Sequence, residues 1–340
     1  KSQKEKFVGN FGTYYETVGQ YNLTGSFGLH QEGHSMSFSG GRNFFDGWSP
    51  AIADTSRFQQ WKPKEQLFGH LQYAYLINKF KIHLSSSFFQ DDILNRGHRL
   101  MPYYETAFDD YYATKRLSNA LHLSDEIGEH KNIILTLAHN HYRRTKNTYI
   151  KDLVTLEENL TNNPEDQDTT KFNSFLARGV YNVTHPERKL HYELGYDVNV
   201  ETGSGGRMKL GRQEISDYAL FASAEYKPTG DLTIRPGLRV SYNTTYVAPI
   251  VPSINFRYKL GSKFTLRTSY AKGFRAPSLK ELYLEFVDLN HNIIGNRNLN
   301  SEQSHNCQLH LARTQAIKDK HILKLELSGF YNDIKNMISL

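Results

Sequence analysis

Cysteine occurs once in the 340 residues, at Cys307. That excludes an intramolecular disulfide framework and any multi-cysteine zinc or iron–sulfur centre. A run of about 18 apolar residues is also missing, so no transmembrane helix is predicted. A spanning β-barrel escapes that test because its strands alternate, and the mean hydropathy of −0.61 does not decide between the two. No Pro/Ser-rich linker or shift of composition divides the chain, so 1–340 reads as one continuous architecture without a second domain. The first residues, 1–6, are polar, and no signal peptide is expected within this chain. There is no nucleophile elbow, zincin helix, phosphate loop or dinucleotide fingerprint, and the expectation is a protein that is not an enzyme. The net charge of +6 raises the question of nucleic acid. The basic residues are nevertheless spread over alternating faces with no recognition module, so no nucleic-acid partner is expected.

What the chain does have is a period of two. Across 232–243 one face reads Leu232, Ile234, Pro236, Leu238, Val240, Tyr242, and the other Thr233, Arg235, Gly237, Arg239, Ser241, Asn243. The next two segments repeat the pattern with Ile254, Phe256, Tyr258 and with Phe264, Leu266, Thr268, Tyr270. A helix would scatter these residues round its circumference, whereas a strand puts each set on one face. The reading is about fifteen antiparallel strands of about 10 to 14 residues, long for a soluble sheet and suited to a tilted bilayer crossing. Tyr218, Tyr226, Tyr242, Tyr258 and Tyr270 fall towards strand ends on the apolar face, as in an interfacial aromatic girdle.

Connections alternate in length. Short ones near 31–33, 78–79, 125–129, 185–187, 228–230, 261–262 and 315–318 intervene between long ones at 42–63, 90–109, 144–170, 201–213 and 273–301. Two long-side members, near 17–19 and 244–246, are short. Short turns on one rim and long loops on the other are the asymmetry of a bacterial outer-membrane barrel. A β-propeller would show a blade repeat of about 40 to 50 residues, and none is present. A passive substrate-specific porin and a surface adhesion or carbohydrate-binding β protein remain as alternatives at this level.

The segment 273–301 is the most distinctive. It leaves a strand through Gly273-Phe274-Arg275-Ala276-Pro277 and returns through Asn296-Arg297-Asn298-Leu299 with Glu302 beyond. Within it, Ser278-Leu279-Lys280-Glu281 forms a capping-box pattern that opens a short helix. These residues resemble TonB-dependent outer-membrane receptors, importers of scarce metal chelates. In that family Gly-Phe-Arg-Ala-Pro closes a strand and Asn-Pro-Asn-Leu opens the return. The motif residues are Phe274, Arg275, Ala276, Pro277, Asn296, Asn298 and Leu299, with arginine replacing the family's proline at 297.

The resemblance implies a transmembrane barrel of about 22 strands, of which this chain holds the first fifteen or so, with the plug domain outside it. It also implies location in the bacterial outer membrane, uptake energised by the TonB complex, and contact with the plug and with outer-membrane lipid. The transported ligand is haem, a ferric siderophore or cobalamin, and no intrinsic cofactor is implied. A surface lipoprotein cap is left open. In haem-importing members the two motifs flank the seventh extracellular loop with its haem-ligating histidine, which makes His291 the candidate iron ligand.

Other candidates come from the residues themselves. His98, Tyr103, Tyr104, Tyr111 and Tyr112 offer aromatic area and polar anchors for a flat chelate. His139 and His141 lie two apart on one strand face, a metal clip with too few ligands to be tight. Arg235, Arg239, Arg257 and Arg267 are expected to line a polar lumen.

Overall fold

The computed structural model describes residues 6–50, 57–287, 292–317 and 321–339. Its strands are β1 (Phe7–Glu16), β2 (Gln20–Gln31), β3 (His34–Phe45), β4 (Lys64–Ile77), β5 (Phe80–Arg99), β6 (Thr106–Ile127), β7 (Lys131–Asp152), the short β8 (Glu158–Leu160), β9 (Gln167–Val183), β10 (Leu190–Ser204), β11 (Gln213–Tyr226), β12 (Leu232–Asn243), β13 (Val251–Leu260) and β14 (Phe264–Arg275). The helix α1 (Leu279–Tyr283) and a small hairpin, β15 (Glu285–Val287) and β16 (Asn292–Ile294), precede β17 (Glu302–Ile317) and β18 (His321–Lys335). The large sheet has sixteen strands. Fifteen follow one antiparallel path in chain order, and β8 sits beside β7. The expected strand count and the all-β, up-and-down class are therefore found.

The two faces of this sheet differ as the alternation requires. On β12, Leu238, Val240 and Tyr242 are 47%, 50% and 67% exposed, while Thr233 and Asn243 on the other face are buried. Among the described residues the buried polar side chains, such as Asp109, Thr148, Ser216 and Asn243, are as numerous as the buried apolar ones. A soluble fold would bury its apolar face instead. We call the apolar face outer and the polar face, onto which the segment 276–284 folds, inner.

Cross-strand register carries the outer face from strand to strand: Tyr218 pairs with Tyr242, and Leu232 with Tyr258. Tyr218 and Tyr226 are eight residues apart on β11, about 20 Å along the membrane normal for a strand tilted near 40°. They mark two aromatic levels separated by nearly the height of an apolar band. The inner arginines are where the alternation put them. Arg239 bonds Asp217 at 3.2 Å and approaches Asp197 at 3.6 Å, and Arg235, Arg257 and Arg267 line one inner cavity of about 680 Å³.

The rims also differ as expected. The tight turn after β2 uses Gly33 at φ +84°, where an added Cβ would stand 2.5 Å from the carbonyl oxygen of Leu76, and the next one uses Asn78 at φ 52°. On the opposite rim strands run on into three expected loops. β5, β6 and β7 run 20, 22 and 22 residues, so the segment 90–109 contributes only 100–105 as a connection and 144–170 only 153–166. β10 likewise reaches Ser204. Above the apolar band both faces meet water, so the hydropathy period vanishes while the backbone ladder continues.

Candidate functional site

The described parts of the seventh long connection, 276–287 and 292–301, are packed. Ser278 caps α1 as its sequence predicted. Its Oγ accepts from the Glu281 backbone nitrogen at 3.3 Å, and the Glu281 carboxylate accepts from the Ser278 nitrogen at 2.7 Å. Leu279 and Leu282 turn inward, 3% and 1% exposed, onto Met208 and Ile215, with Phe172, Tyr246 and Leu299 around them. The chain segment after β10 is stitched to it through Lys209 N to Tyr283 O at 2.9 Å and Glu285 N to Arg207 O at 2.8 Å.

The two motifs are explained by one side chain. Arg275 donates to Glu302 at 2.7 and 3.1 Å and to Glu281 at 3.0 to 3.2 Å. It thereby ties the end of β14, the helix cap and the start of β17 together. Burial pushes the Glu281 carboxyl up, but Arg275 and the Ser278 backbone outweigh it and hold the group below its ordinary 4.5. Pro277 is fully buried. Phe274 and Ala276 line a cavity of about 550 Å³ with Asp197, Asp217 and Arg239. Asn296 donates its backbone N–H to Glu281 O at 2.8 Å and accepts from Asn298 N at 2.9 Å, while Leu299 O accepts from Tyr246 at 3.1 Å. Arginine at 297 in place of proline leaves this return intact.

The proposed ligand residues do not form one cluster. His291 lies outside the described residues. His98 is on β5 and stacks on Phe58 with centroids 4.5 Å apart. Tyr103 and Tyr104 occupy the 100–105 connection, 80% and 52% exposed. Tyr111 and Tyr112, just beyond the expected connection 90–109, are strand residues of β6 and point to opposite faces. Tyr111 is on the outer side, where it donates to Glu158 at 3.0 Å. Tyr112 is on the inner side, with the Arg144 guanidinium 5.2 Å above its ring. His139 and His141 share the outer face, and His141 Nδ1 is bonded to Asn173 at 2.6 Å. Among the described residues no group of three or more His, Cys, Asp or Glu is disposed to hold a metal.

A different inner cluster stands under α1. Register places Phe89, Arg116, Tyr142 and Phe172 side by side across β5, β6, β7 and β9. The Arg116 guanidinium lies 5.7 Å from the Phe89 ring and 5.5 Å from the Tyr142 ring. Tyr142 and Phe172 have centroids 6.1 Å apart, and Lys280 of α1 is 5.0 Å over Phe172. Among the described residues neither cation has a carboxylate partner. They frame a cavity of about 480 Å³ that Asn140, Asn173 and Glu201 also line. Flat aromatic faces with two cations held only by π contacts suit a ligand that is planar, anionic or both. All four residues lay within the expected strands, but sequence reasoning missed the row because which residues stand opposite one another is set by cross-strand register.

A wide antiparallel meander, apolar outside and polar inside, with an ordered loop folded into its mouth, defines a membrane β-barrel of the receptor type. The family model described as TonB dependent receptor-like, beta-barrel, matches residues 8–340, and the chain belongs to that family. No curated protein sequence matches it. Solved structures match it as well. The ferric enterobactin receptor of Pseudomonas aeruginosa is 17% identical with TM-score 0.63, covering 99% of this chain and 54% of that one. The siderophore receptor PirA of Acinetobacter baumannii is 16% identical with TM-score 0.61, covering 99% and 54%. The Serratia marcescens hemophore receptor, solved with its hemophore and heme, is 12% identical with TM-score 0.63, covering 97% and 54%. The chain thus spans about half the length of the receptors it resembles, and at these identities the likeness is one of fold.

Proposed function

We propose that this chain forms barrel wall of an outer-membrane active-transport receptor that takes up a metal chelate at its long-connection rim. Import then proceeds past a plug domain with energy from the TonB complex. The observation that carries the reading is the inner row Phe89, Arg116, Tyr142 and Phe172 under Lys280, an anion-accepting aromatic cradle at the mouth of a membrane barrel. A porin needs no such packed loop over its lumen, and a surface adhesin needs no apolar outer face.

The cradle favours a ferric chelate with anionic aromatic arms, whose rings stack while its charge meets Arg116 and Lys280. Haem, with a planar macrocycle and two carboxylates, is the second reading, with His291 as its iron ligand. One experiment separates them. Detergent-solubilised full-length receptor is titrated in parallel with a ferric tris-catecholate and with haemin, using the parent, Arg116→Ala and His291→Ala. Saturable catecholate binding weakened by Arg116→Ala supports the first reading. A Soret shift abolished by His291→Ala supports the second. Absence of saturable binding to either ligand would overturn both chelate readings while leaving the fold family standing.

A further inference from the structure

Beneath the cradle the inner wall loses its charge. The cradle row runs on from Phe89 into Phe68 of β4, its register partner. Two residues nearer the short-turn rim on every strand, the next inner row is Ser39, His70, Ser87, Ser118, Asn140 and Ser174. The row after it is Ser37, Gln72, Ser85, Ala120, Ala138 and Leu176. Across these six neighbouring strands, β3 to β7 and β9, neither row contains Asp, Glu, Lys or Arg. The first to appear is Arg178, at the β9 end of the third row, opposite Thr136.

The wall beyond β9 has the opposite character. Charge begins on β10 with Glu201, the partner of Ser174, and continues through Asp197, Asp217 and Arg239. Arg239 joins the two aspartates, and Arg178 reaches Asp197 at 3.6 Å. Arg235, Arg257 and Arg267 follow around the inner cavity nearer the short-turn rim. In the two uncharged rows polar groups meet sideways instead: His70 Nδ1 and Ser87 Oγ are 2.7 Å apart, and Asn140 donates to Ser174 at 3.1 Å. Hydroxyls and amides offer an anion hydrogen bonds about half as strong as those from a cation. A conducting surface needs that balance, favourable enough to admit a ligand and weak enough to release it. The cradle opens onto the first of these rows directly, because Ser118, Asn140 and Ser174 line the same cavity of about 480 Å³ as Arg116, Tyr142 and Phe172.

We propose that these two rows are the barrel side of the route along which an anionic chelate leaves the cradle towards the short-turn rim. The inference rests on the import reading of the proposed function and adds to it which wall is used. Arg116 and Lys280 capture the ligand, and the rows beneath let it go because no fixed cation stands within them. The wall of β10 to β14 would retain the same anion at Arg257 and Arg267.

The test follows a radio-iron tris-catecholate in energised cells carrying the full-length receptor, with surface-bound and imported label counted separately. Ser85→Arg sets a cation in the second row, and Ser85→Gln supplies much of its length without the charge. Ser85→Arg is expected to cut uptake about 10-fold with surface binding at or above the parental level, and Ser85→Gln to stay within about twofold of the parent. Ser37→Arg, in the same row, should repeat the loss, and heat-modifiable gel migration reports which variants fold. Ser269→Arg, in the cavity that already holds Arg235, Arg257 and Arg267, is expected to leave uptake unchanged. A second measurement reads the route directly, with Cys307→Ser removing the native thiol of this chain. Ser85→Cys is expected to react about 10-fold faster with a hydrophilic thiol reagent during uptake than at rest, and Ser269→Cys to show no such gain. Parental uptake by folded Ser85→Arg or Ser37→Arg would overturn the proposal, as would an equal loss in Ser85→Gln or a labelling gain at Ser269→Cys in place of Ser85→Cys. A parent that binds the tris-catecholate at the surface and never imports it would instead overturn the import reading, and the route with it.

Discussion

Arg275 is the residue on which the mouth of the barrel depends. It is the shared partner of Glu281 and Glu302, so its removal leaves two carboxylates facing each other and unties the loop from both flanking strands. Charge-assisted hydrogen bonds contribute about 1.5 to 3 kcal/mol each when sheltered. Arg275 is 45% exposed, and solvent screening brings the expected cost of Arg275→Ala to about 1 to 2 kcal/mol. The cost should be local, read as faster proteolysis and amide exchange within 276–301 with little change in melting of the sheet. The same cluster sets a pH dependence. Glu281 titrates below its ordinary 4.5 in the folded protein, so its stabilisation is complete above that value and is lost as pH falls through the lower folded one. Protection of the α1 amides relative to their intrinsic exchange rates is therefore expected to be flat from about pH 8 to 5 and to fall below about pH 4. A loss of protection already at pH 6 would contradict the assignment.

At the scale of elements, the packing that matters is small and sits in unexpected places. Leu282, 1% exposed at the heart of the loop cluster, is expected on truncation to alanine to cost about 2 to 5 kcal/mol. The loss should appear in exchange of 279–285 and of the segment around Met208. Between β10 and β11 an aromatic covers a glycine: a Cβ added at Gly195 would collide with the Phe221 ring and stand 2.7 Å from the Gly179 carbonyl. Gly195→Val is expected to cost about 1 to 3 kcal/mol by overpacking, seen as a lower temperature of heat modification on gels. The short α1 and its cap were legible because a capping box is a local pattern whose partners lie three residues apart. The length of β5, β6 and β7 was not. Where Tyr111 and Tyr112 both meet polar surroundings, side-chain alternation carries no hydropathy signal, and only the ladder of backbone hydrogen bonds shows that the strand continues.

At the scale of the whole molecule, charge and membrane act together. Capture of an anionic chelate by Arg116 and Lys280 is expected to weaken as salt is raised from about 0.05 to about 0.5 M, because the Debye length over which the partly exposed cations act shrinks from about 14 Å to about 4 Å. The double change Arg116→Ala with Lys280→Ala should weaken binding about 10- to 100-fold, or about 1.4 to 2.8 kcal/mol, measured by the same titration. A salt-independent affinity would point to a neutral ligand. What the sequence by itself determined is everything with a short period or a local motif: fifteen alternating strands, the asymmetric rims, the capping box and the strand-end motifs around 273–277 and 296–302. Each depends on residues near one another in the chain, and each side-chain direction follows from parity alone. What only the tertiary structure decided is which residues stand beside one another across strands. Arg275 between Glu281 and Glu302 and the row from Phe89 to Phe172 both depend on register. Register is set by the summed pairing of whole strands, a long-range quantity that no local pattern encodes.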